Sequence, residues 1–147
     1  MVDRAGFGVL VAEHDLLRSQ LRRALTSDAS KDRRLGREVR SFATGMRRHL
    51  RREDRALYPF CARVFGGRGG PVEVLKDDHR ALKGKLTAIE RALADARDVR
   101  PLLADLEPVV DRHFGLEEKV LFPLTAARLT EAQAAFLEDK LRGEPRG

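Results

Sequence analysis

The 147-residue chain is expected to fold as an all-α protein, an up-down-up-down antiparallel four-helix bundle with a short C-terminal fifth helix. Apolar residues recur at three-four spacing in four long stretches, the pattern of amphipathic helices with one buried face. The breaks between those stretches are short, so sequential helices must lie side by side and run in opposite directions. Composition agrees: 42% of residues are hydrophobic and 35% charged, with one Tyr, no Trp and no run that reads as a strand. A chain of this length buries a proper core without staples, so one domain over residues 1–142 with a frayed tail at 143–147 is expected.

The first stripe is Leu10, His14, Leu17, Leu21 and Ala24. The second runs Val39, Phe42, Met46, His49, Glu53, Leu57, Phe60, the third Val72, Leu75, His79, Leu82, Leu86, Ile89, Leu93, and the fourth Leu102, Leu106, Val109, His113, Glu117, Val120, Leu124. Turn chemistry separates them: SDASKD at 27–32, FGGRGGP at 65–71 and DARDVRP at 95–101. Gly70 before Pro71 reads as an N-cap followed by proline at the first helical position, where its missing N–H costs nothing. The last helix is expected over Thr130–Leu141, because Thr-Glu-Ala-Gln has the spacing of a capping box.

Several classes of function are disfavoured. The excess of 29 Lys plus Arg over 23 Asp plus Glu leaves +6, but these bases are scattered among acids without interleaved aromatics, so a nucleic-acid partner is not expected. Cys61 is the only cysteine, which excludes an intramolecular disulfide and a CxxC pair and suits a reducing cytoplasm. The run GFGVLVA is about seven apolar residues closed off by Glu13 and lacks a cleavage-site pattern, so it is not expected to be a leader, and no stretch approaches the ~20 apolar residues of a membrane span. A soluble cytoplasmic protein with no membrane partner is expected.

Two segments carry the chemistry. Residues 49–60 read HLRREDRALYPF and residues 113–124 read HFGLEEKVLFPL, so a His-x-x-x-Glu pair, a following acid and a Leu-aromatic-Pro tail occur twice. All four histidines of the chain lie on buried seams. In antiparallel hairpins, residues equidistant from a turn lie at the same height. His14, the His49/Glu53 pair, His79 and the His113/Glu117 pair have successive midpoints near the three turns, so all six fall in one layer near one end of the bundle. The segment from Glu13-His14 to Leu21 also aligns with that from Asp78-His79 to Leu86, which makes the chain a tandem of two helical hairpins.

Residues four apart on a helix stack about 6 Å apart on one face, so each His-x-x-x-Glu pair aims an imidazole and a carboxylate at one point. Four histidines and two glutamates in an apolar layer would strand several polar groups unless they share a ligand. Metal is that ligand. If both glutamates bridge, each of two ions gains two histidines and two carboxylate oxygens, and a solvent-derived bridge leaves a position for a small molecule. Imidazole and carboxylate without thiolate suit iron, zinc or manganese, and at this point a dinuclear zinc hydrolase stays open.

The doubled motif resembles the hemerythrin-like, or HHE cation-binding, domain over about residues 10–125. The resemblance implies a four-helix bundle holding two iron ions as an oxo- or hydroxo-bridged non-haem centre, with ligands on His14, His49, Glu53, His79, His113 and Glu117. The fullest versions of the pattern have a fifth histidine, either in the third helix or between the first two motif histidines. Here the positions four residues either side of His79 hold Leu75 and Lys83, and the interval between His14 and His49 has no histidine. Glu118 and Tyr58 are candidate substitutes, and Asp15 and Asp54 candidate partners of the ligands.

The more open coordination implies reaction with dioxygen, nitric oxide or peroxide as a sensor, scavenger or redox protein, rather than simple oxygen carriage. Weak peroxidase, catalase-like or nitric-oxide-directed activity is left open. The alternatives are iron handling, as ferroxidase, store or donor to iron-sulfur centres, and a metal-free helical interaction module. The proline tails are expected to bend the second and fourth helices just past the site, and Cys61 to be a core residue.

Overall fold

The computed structural model describes residues 6–27, 32–66 and 70–143, and among them every regular element is helical. The helices are α1 (Gly8–Leu25), α2 (Asp32–Arg52), α3 (Tyr58–Val64), α4 (Pro71–Ala94), α5 (Arg100–Leu116), α6 (Phe122–Ala126) and α7 (Glu131–Gly143). A π turn over Glu53–Leu57 joins α2 to α3, and another over Glu117–Leu121 joins α5 to α6. Gly143 closes α7, and the rest of the expected tail, 144–147, lies outside the described residues, as do 28–31 and 67–69 of the first two turns. No described helix is long and apolar enough to cross a membrane.

Helix α1 packs against α2 and α5, and α4 against α5 and α2, so the four long helices close into a ring. The first two expected stripes are buried throughout, and the third is buried except at Leu93, which is half-buried. Gly70, at φ 70°, caps α4 ahead of Pro71. At α7 the capping box forms in both directions: the Gln133 N–H donates to Thr130 Oγ1 at 3.1 Å, and the Thr130 N–H to Gln133 Oε1 at 2.9 Å.

The fourth stripe differs from expectation. Leu103, Leu106, Val110 and Phe114 face the core of α5, whereas Leu102 and Val109 only flank it and Val120 and Leu124 are exposed. The π turns explain the second half of that shift. A proline ring in an α-helix clashes with the carbonyl four residues back. Here the chain widens one turn before Pro59 and Pro123: the N–H of Tyr58 donates to the carbonyl of Glu53, and that of Phe122 to the carbonyl of Glu117, each five residues back. Pro59 and Pro123 then sit in the first turn of a renewed α-helix, where no intrahelical donor is needed. The effect expected of the Leu-aromatic-Pro tails thus takes the form of a widened turn ahead of Pro59 and Pro123, whereas Pro108 sits inside α5. One inserted residue turns all that follows by about 100°. Leu121 and Phe122 go in, and Val120 and Leu124 go out.

Two apolar clusters result, with a polar layer between them. One holds Phe42, Met46, Leu82, Leu86, Leu106 and Phe114, among others. The other is built on Phe7, Leu10, Leu57, Tyr58, Leu75 and Phe122 and is closed by Leu137 and Leu141 of α7. Helix α7 lies against α1 and the first π turn. Gly6 permits that approach: at φ 84°, an added β-carbon would meet the Ala134 carbonyl oxygen at 3.2 Å.

Candidate metal centre

Each half of the internal repeat delivers three donors to the polar layer. His49 and Glu53 come from the end of α2 and the start of its π turn, and His113 and Glu117 from the matching place on α5, while His14 and His79 project from the middle of α1 and α4. All six are at most 2% exposed. They form two four-residue groups, His14, His49, Glu53, Glu117 and Glu53, His79, His113, Glu117, and in each the candidate ligand atoms lie within 4.8 Å of one another. Both glutamates belong to both groups. The imidazole Nε2 atoms face inward: His14 Nε2 is 3.1 Å from Glu117 Oε1, His49 Nε2 3.1 Å from Glu53 Oε2, and His79 Nε2 3.0 Å from Glu53 Oε1. His113 Nε2 stands 3.5 Å from Glu53 Oε1 and 3.7 Å from Glu117 Oε1.

Every histidine meets a carboxylate through its other nitrogen, and every such carboxylate meets a base. His14 Nδ1 lies 2.7 Å from Glu118, which Arg18 contacts at 2.9 Å; His79 Nδ1 lies 2.8 Å from Asp54, which Lys83 contacts at 2.9 Å. His49 Nδ1 lies 3.0 Å from Glu13, with Arg52 at 3.3 Å, and His113 Nδ1 lies 3.2 Å from Asp78, with Arg112 at 2.9 Å. A carboxylate at Nδ1 holds the proton there and leaves the Nε2 lone pair free for a cation. Arg52 also donates to the carbonyl of Leu141, which ties α7 to the Glu13–His49 pair.

The two halves differ at one position. The π turn sets Tyr58 over Glu53, and its hydroxyl donates to Glu117 Oε2 at 2.9 Å and lies 2.8 Å from His79 Nε2 and 3.4 Å from Glu53 Oε1. The equivalent residue of the other half is Phe122, whose ring lies along His14 and stacks on Phe7. Accordingly, His14 Nε2, His49 Nε2, Glu53 Oε2 and Glu117 Oε1 are buried without a hydrogen-bond partner. These four atoms are close together yet misaligned for hydrogen bonds, as donors facing a common centre would be. Orphans of this kind are costly without a shared ligand, so the residues fit a cation.

Electrostatics point the same way. Burial pushes His79 down, but hydrogen bonds to Asp54 and Glu53 and their charges outweigh it and hold it at about 9. His14, His49 and His113 are raised as well, each against the effect of burial, by the carboxylates around them. Glu117 is raised by burial and by the charge of Glu53. Burial favours the neutral form of Glu118, but His14 and Arg18 bring it to about 2. Without metal, protons therefore hold the layer together. A group whose pKa is raised on folding stabilises fully below its unfolded value and stops doing so as pH passes its folded value. For His79 that window runs from 6.5 to about 9. The melting temperature of metal-free protein is expected to fall across it, and that of metal-loaded protein to change less, because the ion replaces the protons. A flat metal-free profile between those pH values would contradict this.

Of the further candidates, Glu118 and Asp54 lie against histidines, and Tyr58 stands inside the layer. Asp15 does not approach it: the side chain is 70% exposed and, among the described residues, pairs with Arg18 alone, at 3.7 Å. One residue past His14 on a helix, it points about 100° away from the seam. Glu13 and Asp78 were not anticipated as histidine partners. The signal for them was the acid that immediately precedes the first histidine of each repeat, in Glu13-His14 and Asp78-His79. Cys61 is buried in the cluster under α7, and burial pushes its thiol up to about 12. A disulfide reagent is expected to titrate no thiol in the folded protein and one after denaturation; rapid reaction in the native state would refute that.

A helical ring that buries paired histidine and glutamate clusters between two apolar cores defines a cation-binding helical protein. The family model described as Hemerythrin HHE cation binding domain matches residues 5–135, and the chain belongs to that family. No curated protein and no solved structure gives a significant match.

Proposed function

We propose that this protein is a non-haem di-iron protein that binds or reacts with dioxygen, nitric oxide or peroxide as a sensor, scavenger or redox protein. We read the helical ring as an up-down-up-down bundle and residues 1–142 as one domain. The observation that carries the functional reading is that Glu53 and Glu117 belong to both four-residue groups. Two ions sharing two carboxylates would each take two imidazoles, from His14 and His49 in one half and from His79 and His113 in the other. A donor set of nitrogen and oxygen without thiolate suits iron. When bound, two adjacent irons supply redox centres with positions for a small ligand.

The chain's own residues do the rest. Glu118, Glu13, Asp54 and Asp78 fix the histidine tautomers, and Phe7, Phe114 and Phe122 keep the His14 side dry. Tyr58 contributes an oxygen to the His79/His113 half, in the role of the additional donor, which leaves the His14/His49 half the more open. Metal analysis and visible spectroscopy of anaerobically purified protein test this reading. Two irons per chain are expected, with charge-transfer absorption that changes on exposure to nitric oxide or peroxide. Tyr58→Phe should retain both irons and lose the part of that absorption contributed by a phenol oxygen. Zinc, or no metal after reconstitution, would overturn the assignment.

A further inference from the structure

The positive charges look scattered along the sequence, yet the fold gathers five of them around one groove far from the metal layer. The groove has a volume of about 620 Å³ and lies between the first turns of α2 and the connection from α4 to α5. Arg33, Arg37 and Arg40 line it from α2, and Arg97 and Arg100 from the other side. Asp98 is the only carboxylate among the described lining residues, and Arg100 occupies both its oxygens, at 2.9 and 3.0 Å. Arg97 has Asp95 at 3.5 Å. Among the residues whose side chains are described, which leave out Asp32, no acid pairs with Arg33, Arg37 or Arg40. The floor is apolar, made in part by the buried Leu35 and Val99.

Like charges held around a concave surface repel one another, and the field they create raises the local concentration of anions. Helices α2 and α5 both begin at this groove, so their positive dipole ends add to it. The guanidinium fork matches phosphate oxygens in pairs, and several forks around one hollow match a ligand with several phosphates better than one with a single carboxylate. The volume lies within the roughly 300–1,000 Å³ typical of small-molecule sites. No aromatic residue is among the described lining residues, so recognition would rest on the phosphates rather than on a stacked base. Arg40 is nine residues before His49, about 13 Å along α2, which separates this site from the metal layer.

We propose that this groove binds a small ligand carrying two or more linked phosphate groups, held by Arg37, Arg40 and Arg97. Calorimetric titration of the metal-loaded full chain with inorganic triphosphate, at fixed ionic strength, tests it. Saturable binding is expected, weakened about tenfold or more in Arg37→Ala/Arg40→Ala and unchanged in Arg142→Ala on α7. Both variants change exposed side chains, and unaltered helix content and metal count show that they fold. No binding at millimolar triphosphate, or equal binding by the double variant, would overturn the proposal. A short DNA duplex added to the complex separates the two sources of phosphate. Failure to displace triphosphate supports the small ligand, whereas displacement at lower concentration would assign the groove to a nucleic-acid backbone and sink the small-ligand reading. Neither result depends on the identity of the metal.

Discussion

Glu53→Ala is expected to remove both cations, whereas His79→Ala removes only one. The reason is geometric. Glu53 offers Oε2 to the His14/His49 side, where His49 Nε2 is 3.1 Å away, and Oε1 to the His79/His113 side, where His79 Nε2 is 3.0 Å away. Truncation takes one donor from each four-residue group and, at a site 0% exposed, admits no water route to replace it easily. His79, in contrast, belongs to one group alone. Elemental analysis of reconstituted variants would then give a graded series, from two ions per chain through one to none. Equal losses from the histidine and glutamate variants would mean that the two sites fill only together. Retention of both ions in Glu53→Ala would remove the shared carboxylate from the account.

Phe114→Ala is expected to cost about 3–5 kcal/mol of folding stability, the usual range for a fully buried aromatic truncated to alanine. Phe114 is 0% exposed and forms the floor on which the metal layer rests. Its ring stacks on His14 with centroids 3.9 Å apart and planes 8° from parallel, and meets His49 edge-on at 5.4 Å. Arg18, which holds the His14 partner Glu118, lies over the same ring at 5.2 Å. Removing the ring opens a cavity beneath two imidazoles of one half. Denaturant unfolding should therefore show the stability loss, and metal titration should show weaker binding at the His14/His49 half first. Phe114→Leu fills most of the space and should cost less than half as much. A Phe114→Ala variant with unchanged unfolding midpoint would show that the layer does not rest on this ring.

The helices and the histidine layer were legible because burial on a helix leaves a period in the sequence. His14, His49, His79 and His113 interrupt apolar stripes at core positions, and the structure buries all four. The two π turns were not legible as such. Leu-aromatic-Pro announces a disturbance, but whether the chain kinks or widens depends on what the next turn must pack against. Here widening turns Tyr58 into the layer and Leu121 and Phe122 into the core beneath α7. The same turn sends Val120 and Leu124 to solvent, against their place in the expected stripe.

The sequence by itself determined the helical class, the doubling of the hairpin and the six residues that converge, since spacing along a helix dictates which side chains share a face. The tertiary structure decided what surrounds them. Glu13 and Asp78 each adjoin a histidine in sequence, yet neighbours on a helix diverge by about 100°, and each acid serves a histidine of the next helix instead: Glu13 serves His49 and Asp78 serves His113. The arginine groove has the same origin. Its charges come from segments about sixty residues apart, and only the packing of α2 beside the α4–α5 connection sums them into one field.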